Sequence, residues 1–280
     1  MSKYSRLSRA IRDKRELRMR GLLPPYMLGK KKARRDKRNI LFARILRELP
    51  ALPDQFSVIP SLPIEIPTPM FANNEWGDCV MAARGHQTLM FEASEQRVAL
   101  KIKDEEVLEE YWDNQSWLCR CLSPHPDKGL VLLNAMKDWR SDGWIAAGRR
   151  YNIFAFAELN ALDRDEVAAS IYLLMGGQVG IRLPKTAKDQ FENGEPWEIV
   201  PNGGPDAIPG SWGGHGVCLE GYNDFGVTCI TWATRQAMSW DFFMTCCDEG
   251  YGVVDNRDDF LPDSPVDVEK LERYLEEITR

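Results

Sequence analysis

Histidine is scarce in this chain: three in 280 residues, at positions 86, 125 and 215. Chemistry that needs an imidazole therefore has few places to be. Long apolar runs are absent too, and none approaches the roughly 18–20 residues that cross a bilayer, so no membrane span is expected. The first residues carry no apolar segment of the kind that directs secretion. They are Arg-rich and Ser-containing in the manner of an organelle transit peptide, but Asp13, Glu16 and Asp36 interrupt the run. The seven cysteines are odd in number and lack a framework spacing, which excludes a disulfide scaffold and favours reduced thiols. Together these absences predict a cytoplasmic or virion-associated protein, not one exported by a classical signal peptide.

What is present is divided by charge. Residues 1–48 hold 17 Lys/Arg against 4 Asp/Glu, a net of +13, and the rest holds 19 against 38, a net of −19. The mild total of −6 conceals the split. Such a basic arm is dense enough to neutralise phosphates or to meet an acidic protein surface. It has no interleaved aromatics, so nucleic-acid binding would be independent of sequence. A solvated or loosely docked tail is the plain alternative. Two basic helical pieces are expected around the break "GLLPPYMLG", with Leu7, Ile11 and Leu17, then Ile40, Leu41, Ile45 and Leu46, as partial apolar stripes. Six prolines from Pro50 to Pro69 then predict a segment lying extended over a surface. The organisation is an arm (1–48), a proline-rich segment (49–70), a main domain (71–262) and a C-terminal helix (263–280).

Within the main domain, helices are expected from near Asp78, with Ala82, Ala83, Met90 and Phe91 inward, and over 103–117 and 129–144. "YNIFAFAELNA" and "QVGIRLP" read as strands around the helix "DRDEVAASIYLLMGG", which the Gly176-Gly177 pair should stop. "GVCLEGYNDFGVTCITWA" reads as a hairpin about "NDFG", and "EGYGVVD" as one more strand. The order of elements is that of an α+β fold.

The stretch "FANNEWGDCVMAARGHQ" puts a thiol, Cys79, at the start of a helix. The positive helix end stabilises a thiolate. His215, in "SWGGHGVCLEGY", opens a strand 136 residues later. A helix-start cysteine with a strand histidine at that distance is the arrangement of papain-like peptidases. The chain resembles that superfamily over about residues 55–255, through the order "NNEWGDC", "DEVAASIYLLMGGQVGIRL", "GGHGVCLEGY", "ITW" and "EGYGVV". It is most similar to bacterial and phage-encoded members with a Gly-Asp-Cys elbow.

The resemblance implies a two-lobed fold, a helical lobe and a β-rich lobe meeting at a cleft, here with a basic N-terminal extension. It implies a cysteine hydrolase acting on amide or peptide bonds without a cofactor. Cys79 would be the nucleophile, His215 the general acid/base and Asn73 an oxyanion donor beside the Cys79 N–H, with Asn74 as fallback. The family's orienting Asn falls at Ile230, or with a one-residue shift at Thr231, which could hold the imidazole weakly while Trp232 shields that bond. Asp78 sets a carboxylate beside the thiol, opposing thiolate formation unless it caps the helix. A pro-segment covers the cleft in zymogens of the family, a role open to the arm. The rival reading is a catalytically impaired structural or virion-associated protein on the same fold, its arm holding nucleic acid or an acidic partner surface.

Other candidates carry less. His86 is two helical turns beyond Cys79 and reads as packing or surface; Asn223 and Asp224 read as a turn. Cys119, Cys121 and His125 offer three ligands with Cys-x-Cys spacing, short of a zinc site, and Cys246-Cys247 does not complete it. No metal is expected.

Overall fold

A computed structural model describes residues 3–115, 127–261 and 263–279. The Cys119, Cys121 and His125 cluster lies outside the described residues. In chain order the elements are α1 (Lys3–Met19), α2 (Phe42–Ile45), β1 (Phe56–Ser57), α3 (Val58–Ser61), α4 (Cys79–Glu95), α5 (Asp104–Asp113), α6 (Leu132–Ser141), β2 (Trp144–Ala146), β3 (Arg149–Tyr151) and β4 (Ala155–Glu158). They continue with α7 (Arg164–Leu173), β5 (Gly177–Leu183), α8 (Thr186–Glu192), β6 (Gly213–Tyr222), β7 (Gly226–Thr231), β8 (Thr234–Ser239), α9 (Trp240–Cys246), β9 (Cys247–Val254) and α10 (Val268–Thr279).

Helix α4 is the axis of the fold. It is buried nearly all round, polar residues included, as expected of a helix sandwiched between layers rather than lying on a surface. On one side it meets α5 and α6, whose inward residues Val107, Leu108, Tyr111, Leu133, Met136 and Trp139 form the helical core. On the other it meets an antiparallel sheet in the order β4-β9-β5-β6-β7-β8, with β1 also paired to β6. The expected inward positions Ala82, Ala83, Met90 and Phe91 are all buried. Arg84, also buried, is held by Glu110 at 2.9 Å and Asp138 at 3.3 Å, as a buried guanidinium must be.

Local chemistry explains the boundaries around the sheet. The Asp163 side chain caps α7 through the Glu166 N–H at 3.1 Å, and Gly176, at φ +115°, lets the chain leave that helix. Ser239 caps α9 in the same way. The turn between β7 and β8 is Trp232-Ala233, both at positive φ (43° and 62°). That is primed hairpin geometry, on residues that ordinarily avoid it.

The arm departs from expectation in its second half. α1 forms, but over residues 30–48 only α2 is helical. Their hydrogen bonds go to distant walls instead: Glu158 N–H to Ile40 O at 2.7 Å, Arg47 N–H to Pro265 O at 2.8 Å, and Asp267 N–H to Ile45 O at 2.7 Å. Ile40, Phe42 and Ile45 share a small core with β4, Val254, Val266 and Leu271 of α10. The arm is therefore docked, and the acidic surface it meets is its own chain's. Lys14 pairs with Asp127 at 2.7 Å, Arg15 with Asp104 at 3.1 Å, and Asp36 of the arm with Lys137 at 2.6 Å. No helix among the described residues is long and apolar enough to cross a membrane.

Candidate active site

Cys79 is the first residue of α4, where main-chain N–H groups lack intrahelical partners. Strand β6 lies directly against this helix start. A Cβ at Gly216 would lie 3.0 Å from Val80 Cγ2 and 3.2 Å from Val80 Cα, so the approach is tight. The Gly216 N–H, which belongs to the peptide following His215, donates to Cys79 Sγ at 3.3 Å. The Cys79 thiol and the main chain beside His215 thus meet across the seam between the helical layer and the sheet.

His215 is fully buried. Its Nε2 is 2.6 Å from Thr231 Oγ1, and the Trp232 ring stacks on the imidazole with centroids 4.2 Å apart and planes 19° off parallel. Of the two alternatives at the orienting position, Thr231 makes this contact; Ile230 lies buried within β7. The positive-φ turn aims Trp232 at the histidine, and Tyr26, Phe191 and Trp212 surround it with centroids 4.9–5.5 Å away. His215 Nδ1 has no hydrogen-bond partner among the described residues, Cys79 included.

The remaining sequence candidates have definite places. The Asn73 amide is buried and braces the loop before Cys79, donating to Trp76 O at 3.0 Å and Asp78 Oδ1 at 3.0 Å, with Met27 O at 3.4 Å. Asn74 contributes its carbonyl to Arg18 at 2.7 Å. Asp78 does not cap the helix with its side chain. Burial drives its carboxyl well above the usual range, with the Asn73 hydrogen bond opposing. Its charge still counts among the influences that raise the Cys79 thiol. His86 is buried against Phe71, ring centroids 5.0 Å apart, and burial holds its pKa down to about 3; it packs, as its spacing suggests. Asn223 accepts from the Phe225 and Gly226 N–H groups as a turn residue.

Sequence reasoning missed Asp127. Its carboxylate accepts from the Gly77 N–H at 2.9 Å, the Tyr111 hydroxyl at 2.6 Å and Lys14 Nζ at 2.7 Å. It fixes the loop before the cysteine to α5 and to α1. An isolated aspartate in "HPDKG" gives no local sign of this.

The cleft itself is filled by the arm. Residues 26–31 cross it in extended form: Met27 N–H to Asn73 O at 3.2 Å, Lys30 N–H to Gly214 O at 3.0 Å, Leu130 N–H to Gly29 O at 2.8 Å and Lys31 N–H to Leu130 O at 2.7 Å. Glycines make the crossing possible on both sides. A Cβ on Gly29 would fall 1.7 Å from Gly77 O, one on Gly129 would fall 1.9 Å from Gly29 O, and one on Gly214 would fall 2.2 Å from Lys30 O. Cys79 is left 1% exposed. Burial pushes its thiol up to about 11, against main-chain N–H groups of Gly216, Gly29 and Lys30 that favour the anion. Burial likewise pulls His215 down to about 3. In this covered state the pair is a neutral thiol and a neutral imidazole.

No protein-family model matches the chain, and no curated protein matches it. Solved structures do. Xylellain, a cysteine protease from Xylella fastidiosa, superposes with a TM-score of 0.61 at 13% identity, covering 84% of this chain and 98% of that one. The proform of the ragweed pollen cysteine protease Amb a 11 gives 0.52 at 12% identity over 91% and 88%. The cysteine protease and lectin-like domains of Cwp84 from Clostridium difficile give 0.55 at 11% identity over 86% and 58%. With a helical layer and an antiparallel sheet joined along the helix that begins at Cys79, the chain has the papain-like cysteine protease fold.

Proposed function

We propose that the chain is a cysteine hydrolase of amide or peptide bonds, held covered by its own arm. One observation carries this reading: His215 is held from its Nε2 side by Thr231 at 2.6 Å under the Trp232 ring, leaving Nδ1 for the thiol whose Sγ lies against the next peptide. With the arm displaced, water reaches the pair and the desolvation that keeps it neutral is relieved. Nδ1 and the thiol would have to come within hydrogen-bond reach on substrate binding, as catalytic hydrogen bonds often do.

The reaction then balances without a further reagent. His215 takes the Cys79 proton, the thiolate attacks the carbonyl carbon, and the C–N bond breaks as the imidazolium returns that proton to the leaving amine. Water, deprotonated by His215, attacks the thioester; the carboxylic acid leaves and the thiol is restored. The oxyanion would meet the Cys79 N–H. The Asn73 amide already touches one carbonyl lying in the cleft, that of Met27, which supports its place as the second donor. Similar structures include proforms, Amb a 11 and a proCathepsin B from Trypanosoma congolense, in keeping with a covered state.

The test is release of dye from a mixed set of fluorogenic peptide amides by a Gly29→Ala chain, whose arm no longer fits. Hydrolysis should vanish in the added Cys79→Ala variant and fall sharply with His215→Ala. Failure of the uncovered, folded chain to cleave any amide would reject the hydrolase. It would favour the second reading, a non-catalytic component on this fold. One observation favours that reading: His215 Nδ1 has no hydrogen-bond partner among the described residues, Cys79 included. On that reading the exposed cations Lys31, Lys32, Arg34 and Arg35 would meet a polyanion or an acidic partner, as in a virion.

A further inference from the structure

Lys30 occupies a built pocket beside the candidate catalytic pair. Its side chain is 1% exposed and runs over a floor of glycine. A Cβ at Gly180 would fall 2.2 Å from Lys30 Cε and 2.7 Å from Nζ. The ammonium ends between two carboxylates of β9, paired with Asp248 and 2.9 Å from Glu249 Oε1. Glu249 is itself 8% exposed, and its other oxygen accepts from the Tyr251 hydroxyl at 3.2 Å. The Lys30 main chain is bound to Gly214, the residue before His215. A cavity of about 610 Å³ continues past Asp248 and Glu249, with Arg182 at its wall tied to the Thr245 carbonyl at 3.0 Å.

The two carboxylates belong to β9 and stay with the sheet when Lys30 leaves. When Lys30 leaves, Asp248 and Glu249 lose the ammonium that lies between them, an arrangement that burial and like charge both disfavour. An apolar side chain entering the recess would seal them off unpaired. A substrate lysine would repeat the contacts of Lys30, and an arginine would offer the same two carboxylates a forked set of donors. We infer that this recess is the cleft's specificity pocket, and that the substrates are peptides carrying lysine or arginine next to the scissile region. The inference rests on the hydrolase reading above.

Two readouts on the full chain separate the claims. The first needs no catalysis: iodoacetamide labelling of Cys79, followed by mass spectrometry, in Lys30→Arg, Lys30→Met and Glu249→Gln chains. Lys30→Arg should label as slowly as the parent. Lys30→Met should label about thirtyfold faster or more, the usual effect of leaving a buried charge unpaired. Pairing Lys30→Met with Glu249→Gln should be less damaging than the two singles predict. Buried Cys218 and Cys229 report that the fold persists. Equal protection of Cys79 in the folded Lys30→Met chain overturns the pocket's preference for a cation. The second readout gives the Gly29→Ala chain peptide amides that differ only in lysine, arginine or norleucine at each position near the scissile bond. A preference of tenfold or more for the cations, lost in Glu249→Gln, supports the inference. Cleavage with no such preference overturns it and leaves the hydrolase standing. No cleavage of any peptide rejects the hydrolase reading and the substrate claim with it.

Discussion

Gly29→Ala is the most direct probe of the covered state. Its Cβ would lie 1.7 Å from Gly77 O, 2.3 Å from Gly77 C and 2.6 Å from Gly77 Cα. These are main-chain atoms of the loop that Asp127 and Asn73 brace, so the arm must move rather than the wall. Moving it breaks the four main-chain bonds made by Met27, Gly29, Lys30 and Lys31. At a net of about 0.5–1 kcal/mol each, the covered form loses about 2–4 kcal/mol, equivalent to a 30- to 1,000-fold larger uncovered population. The arm stays anchored by α1 on one side and by Ile40, Phe42 and Ile45 on the other, so the fold should persist. Iodoacetamide labelling at pH 8 reads the change at Cys79, with buried Cys218 and Cys229 as internal controls. A natively folded Gly29→Ala chain in which Cys79 labels no faster than in the parent would refute the reasoning.

Further expectations follow from the same geometry. In the parent, Cys79 labelling against pH should follow a thiol near 11; in Gly29→Ala it should shift down to the ordinary thiol value of about 8.5 or below, and an unmoved profile would mean that burial by the arm is not the cause. Thr231→Val in the uncovered chain strands the His215 ring nitrogen, so kcat/KM should fall about 5- to 30-fold, the size of one lost hydrogen bond, while Thr231→Asn should preserve or raise it. His86, held near 3 against about 6.5 in the unfolded chain, binds its proton only on unfolding over that interval. Stability should therefore decline from pH 6.5 toward pH 3, and urea titrations should show the parent losing about 1.4 kcal/mol per pH unit relative to His86→Leu. The exposed pairs Lys14–Asp127 and Arg15–Asp104 should weaken in salt, raising Cys79 labelling a few-fold at about 0.5 M NaCl.

By itself the sequence determined the parts whose signals are local. The thiol at a helix start, the histidine opening a strand, the helix stop at Gly176 and the apolar face of α4 are all written in neighbouring residues, because capping and periodicity act within a turn or two. The choice of Thr231 over Ile230 was narrowed by Trp232 beside it, but only the β7–β8 turn, with two non-glycine residues at positive φ, decided it. The placement of the Asn73 amide and the hub at Asp127 depend on partners that no spacing rule identifies. The arm shows the division most clearly. Its charge left a loosely docked tail, a nucleic-acid arm and an acidic partner surface all open, and nothing local showed that the rest of the chain supplies carboxylates to meet it. Gly29, Gly77, Gly129 and Gly214 are far apart in sequence, and each is required only because another strand of main chain passes within contact of it. Tertiary structure alone brings those backbones together, and so alone decides that the candidate catalytic pair is covered and that a lysine fills the pocket beside it.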